Sequence, residues 1–304
     1  MRIKVLGAAA GGGLPQWNCT CLNCSAVRDN QLGIRARSQS QLAVSAQDDS
    51  WFLINASPDL REQLISNREF YPNSEKGLRS TPVAGVILTS ADLDHVLGLL
   101  LMREFSPVRI YATHSVTNIL QKNSFFQMLD RLPGQSRWTT IEPGVCFHAG
   151  ENLVCTPIAL GGSLPAYVRE EERAALDLAE ATIGIILEEP NGARIAYLPA
   201  LSSISPSLKE VLSTCSAILV DGTFWSDDEL QSIQPGTPLA RSMGHLPISG
   251  QDGSLATLRD LEGVRRIYTH INNTNPILNE QSSECRAVQD AGWEVAWDGL
   301  EITI

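Results

Sequence analysis

Apolar positions along the chain fall into short β-branched and aliphatic runs closed by turn residues, the pattern of buried strands. In the first half these runs cover residues 2–6, 41–46, 51–55, 85–89 and 108–113. Helical spacing follows several of them. Ser57-Pro58-Asp59 offers a capping serine, a proline at the first helical position and an acid in the first turn, so a helix begins there. Residues 95–105 and 116–132 continue strands and polar loops with helical periodicity, the second ending at a Pro-Gly stop. The alternation then repeats, with strands over 152–159, 182–188, 193–198, 217–220 and 264–268 and helical stretches over 170–178 and 208–212. Segments 133–136, 161–163 and 226–242 read as local connectors, and no low-complexity tract or short repeat interrupts the chain. Strands followed by helices in both halves predict an α/β fold of four layers, two mixed sheets flanked by helices. A single domain over 1–304 is expected, its halves lying at about 1–150 and 151–304.

Composition fits a folded chain and narrows its partners. Hydrophobic residues make up 43% and charged residues 19% of the 304 positions, enough apolar surface for a large core. A net charge of −11 argues against nucleic acid. No long apolar run is uninterrupted, since even 85–102 contains Ser90, Asp92, Asp94 and His95, so a membrane-spanning helix is not expected. The N-terminal stretch superficially suggests a signal peptide, but its apolar run is largely glycine and alanine. A strand feeding a glycine loop fits it better, and a cytoplasmic location is the expectation. Gly7 and Gly11 to Gly13 lack the spacing of a dinucleotide or phosphate loop and read as close-approach glycines. Seven cysteines, an odd number, argue against a secreted disulfide framework.

Two clusters carry chemistry. Thr89-Ser90-Ala91-Asp92-Leu93-Asp94-His95 stands where an apolar strand ends and an apolar helix begins, a place where functional groups collect. A loop there can turn Asp92, Asp94 and His95 onto one cation; the plainer alternative is that Asp94 caps the helix and His95 is its first turn. Two later strands end in Asp221-Gly222-Thr223 and in Thr269-His270, so Asp94, His95, Asp221 and His270 together make two imidazoles and two carboxylates suited to a divalent ion. Separately, Cys19, Cys21 and Cys24 place three thiols within six residues, a set that suits tetrahedral zinc and lacks only a fourth ligand. A redox or free-thiol cluster is the alternative there. Cys146, Cys155, Cys215 and Cys285 are scattered and read as core thiols, while His114 and His148 read as strand residues.

The SADLDH segment resembles the HxHxDH signature of the metallo-β-lactamase superfamily, with Asp221 and His270 at its later motifs. More closely, VLGAAAGGGLPQWNCTCLNC, LINASPDLREQL, LTSADLDHVLGLLLMRE and SMGHLPI resemble the pyrroloquinoline quinone (PQQ) biosynthesis family PqqB. Ser90 and Asp92 stand where the superfamily's two leading histidines would be, and residues 160–163 lack its third. The resemblance therefore implies a mononuclear site of Asp94, His95, Asp221 and His270, with Asp92 as a further ligand or a neighbouring catalytic group. Similar transfer-RNA-processing and phosphodiesterase branches place a site histidine where His245 stands, making it the acid/base or hydrogen-bonding candidate. A similar phosphodiesterase branch completes its cysteine site with a histidine at the position of Asn273; asparagine is a poor zinc ligand, so a water, His114 or another group is expected to serve as fourth ligand at or beside Asn273.

What the resemblance implies for function is work on a tyrosine- and glutamate-derived PQQ precursor cut from the PqqA peptide. Making a quinone from tyrosine requires adding oxygen to a phenol ring, which points to Fe²⁺ and O₂ at the histidines beside a structural Zn²⁺ at the cysteines. Arg37 and Arg241 are the candidates for holding substrate carboxylates. The expected partners are the small precursor and O₂, with room for other PQQ biosynthesis proteins and for a homodimer. Two rival functions remain in view: a metal-dependent hydrolase of a peptide or phosphodiester, and a carrier assisting transport of PQQ or its precursor.

Overall fold

The computed structural model describes residues 1–47, 50–104 and 107–303. The first half lays down β1 (Arg2–Gly7), α1 (Leu22–Arg28), β2 (Gln41–Gln47), β3 (Ser50–Ile54), α2 (Leu60–Ile65), β4 (Val83–Ile87), α3 (Leu93–Val96), β5 (Val108–Ala112), α4 (His114–Lys122) and β6 (Ser136–Thr140). The second half adds β7 (Phe147–His148), β8 (Val154–Ala159), α5 (Glu170–Arg173), β9 (Ile183–Glu188), β10 (Arg194–Leu198), α6 (Pro206–Ser213), β11 (Ala217–Asp221), α7 (Glu229–Ile233), α8 (Ser254–Thr257), β12 (Arg265–Thr269), α9 (Ser283–Asp290) and β13 (Trp293–Val295). Finally β14 (Glu301–Thr303) returns to lie beside β1.

Among the described residues the strands form two seven-stranded sheets, ordered β14-β1-β2-β3-β4-β5-β6 and β13-β12-β11-β10-β9-β8-β7. Both are mixed. Pairing is antiparallel from β14 to β3 and parallel from β3 to β6. In the second sheet it is antiparallel from β7 to β10 and parallel from β10 to β13.

The two-residue alternation of strands sorts side chains to opposite faces. Ile3, Val5, Leu42, Val44 and Ile54 of the first sheet meet Ile183, Ile185, Leu187, Ile195 and Leu219 of the second in one dry layer. The residues between them point outward. Ala43, Leu53, Val86 and Leu88 pack with Leu60, Val96, Val116 and Leu120 of α2, α3 and α4. Ile186, Ala196, Ile218 and Val220 pack with Leu208, Leu212 and Val288 of α6 and α9. Helix, sheet, sheet and helix therefore stack as the expected four layers. No helix among the described residues is long and apolar enough to cross a membrane.

Several boundaries depart from the sequence pattern for local reasons. Ser57 does cap the turn it opens, its Oγ accepting the backbone N–H of Asp59 (3.2 Å), but Ser57 O accepts the N–H of Leu60 (3.0 Å) in a tighter turn, so the regular helix begins at Leu60, two residues after Pro58. The helix expected over 116–132 starts at His114 and breaks at Asn123, whose Oδ1 accepts the N–H of Phe125 (3.0 Å) in place of helical pairing. The stretch 170–178 splits into α5 and a single 3₁₀ turn at Leu178–Glu180. Ser136, expected in a loop, opens the edge strand β6. His114 is thereby the first residue of a helix, and Cys146 is exposed and not a core thiol.

The helix expected over 95–105 is α3 followed by a 3₁₀ segment, Leu97–Arg103, and Phe105 lies outside the described residues. Gly98 sets this tight winding. Its N–H donates to Ala56 O (2.9 Å), and a Cβ there would stand 2.3 Å from Ser57 O. The close approach seats the segment carrying His95 on the end of β3. Gly98→Ala is accordingly expected to lower the unfolding free energy by about 1–3 kcal/mol, read as a lower urea midpoint; an unchanged midpoint would contradict this packing.

Candidate metal centres

Parallel strands from both sheets end at one edge, the position where open α/β sheets bind ligands. The two sheets are tied there by Ile183 N donating to Thr89 O (2.9 Å) and by a bridge between Ser90 and Thr182. After β4, Asp92 enters α3 with extended backbone (φ −62°, ψ 145°), which puts Asp94 and His95 in the first turn. Asp221 is the last residue of β11, and His270 follows β12. His270 adopts φ 54°, a left-handed conformation that costs a non-glycine residue and persists only where the surroundings impose it. Here they do: Ile271 N donates to Ala8 O (3.0 Å) and Ala10 N to Ile271 O (2.9 Å), and Thr223 Oγ1 lies 2.9 Å from His270 O. His245 arrives from a one-turn helix, Arg241–Met243, closed by Gly244 at φ 86°.

Three imidazoles and two carboxylates converge. One donor atom each from Asp94, His95 and His270 lie within 4.8 Å of one another, and so do those of Asp221, His245 and His270. His270 Nε2 stands 3.2 Å from Asp94 Oδ2, and His245 Nδ1 stands 2.7 Å from Asp221 Oδ2. The rings of His95 and His270 meet edge to face at 5.3 Å between centroids, while His245 and His270 stack at 5.6 Å. They border a cavity of about 340 Å³ that also touches Gly11, Asp92, Phe224 and Met243, and none of its described lining residues is lysine or arginine.

Electrostatics at this edge are those of buried charge. Burial opposes ionisation of Asp94 and Asp221, yet the imidazoles outweigh it and hold both carboxyls below the usual range. Burial likewise pushes His95 below an ordinary histidine, against the pull of Asp94. His245 moves the other way: burial would lower it, but the charge and hydrogen bond of Asp221 raise it. His95 Nε2 is buried and has no hydrogen-bond partner among the described residues. An orphaned imidazole nitrogen beside the Asp94 carboxylate fits a metal ligand.

A second centre lies behind the N-terminal loop. Cys21 caps α1, Cys24 lies inside it, and the three sulfurs of Cys19, Cys21 and Cys24 fall within 4.8 Å of one another. Asn273 Nδ2 sits over them at 3.2, 3.5 and 3.3 Å respectively. A tetrahedral zinc with thiolates at about 2.3 Å and an oxygen near 2.0 Å has edges of roughly 3.5 Å, so the Asn273 carboxamide stands where the fourth vertex of such a site would fall. Turned about its terminal bond it presents Oδ1 there. Burial pushes the Cys24 thiol up to about 11. Burial also opposes ionisation of Cys19, but the Cys21 N–H and neighbouring side chains hold that thiol below its ordinary value. Asn23 fixes the loop by donating to Asn273 O (3.0 Å) and Asn275 O (2.9 Å).

A beta-lactamase superfamily domain matches residues 50–271. The chain is 38% identical to coenzyme PQQ synthesis protein B of Methylobacterium sp. (strain 4-46) and 41% identical to that of Ruegeria pomeroyi, each alignment covering 100% of both chains. It belongs to the coenzyme PQQ synthesis protein B family. The fold agrees: the crystal structure of Zn²⁺-bound PqqB from Methylobacterium extorquens superposes with a TM-score of 0.93 at 37% identity, covering 100% of both chains.

Of the expected residues, Asp94, His95 and His270 line one cavity, and Asp221 lies beside it, within reach of His270 and His245, with which it makes a second donor set. Asp92 lines the cavity but stands outside both sets, its Oδ2 accepting the Ser90 hydroxyl (2.8 Å). The cysteines and Asn273 assemble, whereas His114 lies on α4 and accepts from Asn118 Nδ2 (3.0 Å). Neither arginine reaches the cavity. Arg37 is buried elsewhere and donates to Ala296 O (2.9 Å), and Arg241 pairs with Asp252 (2.7 Å).

Glu229 went unnoticed in the sequence, since the last of three consecutive acids in a connector, Asp227-Asp228-Glu229, reads as a solvated run. It is buried, accepts the Trp225 N–H (2.6 Å) and the Thr274 hydroxyl, and so pins the loop after β11 to the loop carrying His270 and Asn273. Burial, outweighing these two hydrogen bonds, pushes its carboxyl up to about 7. A carboxyl raised above its ordinary value of 4.5 stabilises the fold fully below that pH, and the contribution is lost as pH rises through about 7. Between about pH 5 and pH 8 the wild type is therefore expected to lose up to about 3 kcal/mol more stability than Glu229→Gln. Denaturant titrations at both pH values check this; parallel pH profiles for the two proteins would contradict it.

Proposed function

We propose that this chain is an iron- and O₂-dependent hydroxylase in the synthesis of coenzyme PQQ, acting on a tyrosine- and glutamate-derived precursor. The observation that carries this reading is the donor set Asp94, His95 and His270, two imidazoles and one carboxylate within 4.8 Å. That composition, with positions left open, suits non-haem iron. The relatives' names supply the biosynthetic context, and the Zn²⁺-bound Methylobacterium extorquens structure supports a zinc-holding centre in this fold. Thiolates select zinc and hold it for structure, whereas imidazole and carboxylate admit iron.

Asp94, His95 and His270 would hold the ferrous ion. Such an ion supplies the redox chemistry that lets O₂ react with an aromatic ring. His270 has one nitrogen to offer, so the two overlapping donor sets compete for it and a single ion is served. Asp221 is then an anchor: its Oδ2 accepts from Leu201 N (2.9 Å) and His245, its Oδ1 from Thr223 N (2.9 Å) and Oγ1 (2.6 Å). It keeps a proton on His245 Nδ1, and the other ring nitrogen faces substrate in the cavity. Phe224 and Met243 give the ring an apolar seat, and Gly11 leaves the approach to Asp94 open. The overall change adds one oxygen atom to an aromatic C–H carbon. The second oxygen leaves as water, taking two protons and two electrons from an external two-electron reductant.

Turnover of a Glu-Tyr-type precursor under ¹⁸O₂, with anaerobically iron-loaded protein and a reductant, should place one ¹⁸O atom in the product. His95→Ala and His270→Ala should abolish turnover and iron loading while leaving about one zinc per chain at the cysteines. Turnover without O₂, or label entering from water alone, would contradict the hydroxylase reading.

A further inference from the structure

Resting on that reading of the metal centre, we infer that Ser90 and Thr223 are positioning hydroxyls. Each links a carboxylate to an imidazole and fixes the tautomer that turns His95 Nε2 and His270 Nε2 toward the ion.

The argument is an accounting of protons. A hydroxyl has one proton to give and two lone pairs to receive with. Ser90 Oγ donates to Asp92 Oδ2 (2.8 Å) and receives the Asp92 N–H (3.2 Å). Its remaining neighbour is His95 Nδ1 at 2.8 Å. With the hydroxyl proton on the carboxylate, that contact closes only if Nδ1 carries a proton, which leaves the Nε2 lone pair bare. This is the buried nitrogen that finds no partner among the described residues.

Thr223 repeats the arrangement on the other sheet. Its Oγ1 faces two oxygens that only accept here, Asp221 Oδ1 (2.6 Å) and His270 O (2.9 Å). Whichever takes the proton, His270 Nδ1 at 2.9 Å must donate to Oγ1. In the neutral ring His270 Nε2 is then a lone pair 3.2 Å from Asp94 Oδ2, two electron-rich atoms that face each other favourably when a cation or a further proton lies between them. The same order, carboxylate, hydroxyl and Nδ1–H, thus arises from Asp92-Ser90-His95 and from Asp221-Thr223-His270. Outer partners of this kind hold a ligating ring in orientation and raise its basicity. Ser90 and Asp92, at positions where the superfamily resemblance leads one to expect histidines, are on this account the support of His95 and no relic of a lost metal position.

The test uses the full-length protein with zinc retained at the cysteines, and two readouts. Chelator competition with Fe²⁺ alone, without oxygen, should show Ser90→Ala and Thr223→Ala binding 10–100-fold more weakly, with Thr223→Ser restoring most of the loss and Asp92→Asn giving an intermediate one. Long-range ¹H–¹⁵N spectra of the iron-free parent should show Nδ1 protonated and Nε2 bare at His95 and His270, and a loss of that preference in each alanine variant. Thr223→Ser and Asp92→Asn keep the comparison available if an alanine variant fails to fold. Alanine variants that bind iron within about twofold of the parent and keep its tautomers would overturn the inference. So would a parent whose Nε2 atoms carry the protons. A parent that binds no Fe²⁺ at the histidines yet shows Nδ1–H on both rings would sink the hydroxylase reading and uphold the positioning role.

Discussion

Two carboxylates stand at one edge of the sheets, Asp221 fully buried and Asp94 partly so, and no lysine or arginine is among the described residues of the cavity that Asp94 lines. Buried charge must be paired or it shifts to the neutral form. The partners the fold supplies are imidazoles, and one of their nitrogens, His95 Nε2, has no hydrogen bond among the described residues. A bound divalent cation resolves both deficits at once. The left-handed backbone of His270, the one-turn helix before His245 and the seating of Gly98 against the end of β3 all serve to bring these groups together.

The two sheets make that convergence a matter of topology. Each is antiparallel on one side and parallel on the other, and the parallel halves end at the same edge. Asp94 and His95 come from the first sheet, while Asp221 and His270 come from adjacent strands of the second. The cysteine centre braces the same wall, because Asn273 lies three residues beyond His270 and its carboxamide rests on all three sulfurs. Glu229 clamps the intervening loop from the other side through Thr274. Loss of a metal from the cysteines would reach His270, and so the histidine centre, through Asn273.

Much of this was legible in the chain. Alternating apolar runs identified the central strands, since inward and outward faces are both buried and every second residue belongs to one core layer. Short edge strands such as β7 and β14, and short helices such as α1, carry too few residues for periodicity to register. Asp94, His95, Asp221 and His270 were readable because each stands at a strand end. What spacing could not reveal was the inner geometry: that Asp92 turns to Ser90, that Asp221 has its oxygens filled by four donors, and that His245 lies 2.7 Å from Asp221 across 24 residues of sequence. Those contacts depend on loop conformation. Arg37 and Arg241 misled for the same reason, as charge alone does not say which way a loop will face.

The central claim is one iron at the histidines and one zinc at the cysteines. Crystals of protein reconstituted anaerobically with both metals, measured by anomalous diffraction at the iron and zinc edges, test it most directly. The account predicts an iron peak among Asp94, His95 and His270 and a zinc peak among Cys19, Cys21, Cys24 and Asn273. A pair of zinc peaks spanning both histidine donor sets, with no iron, would contradict it.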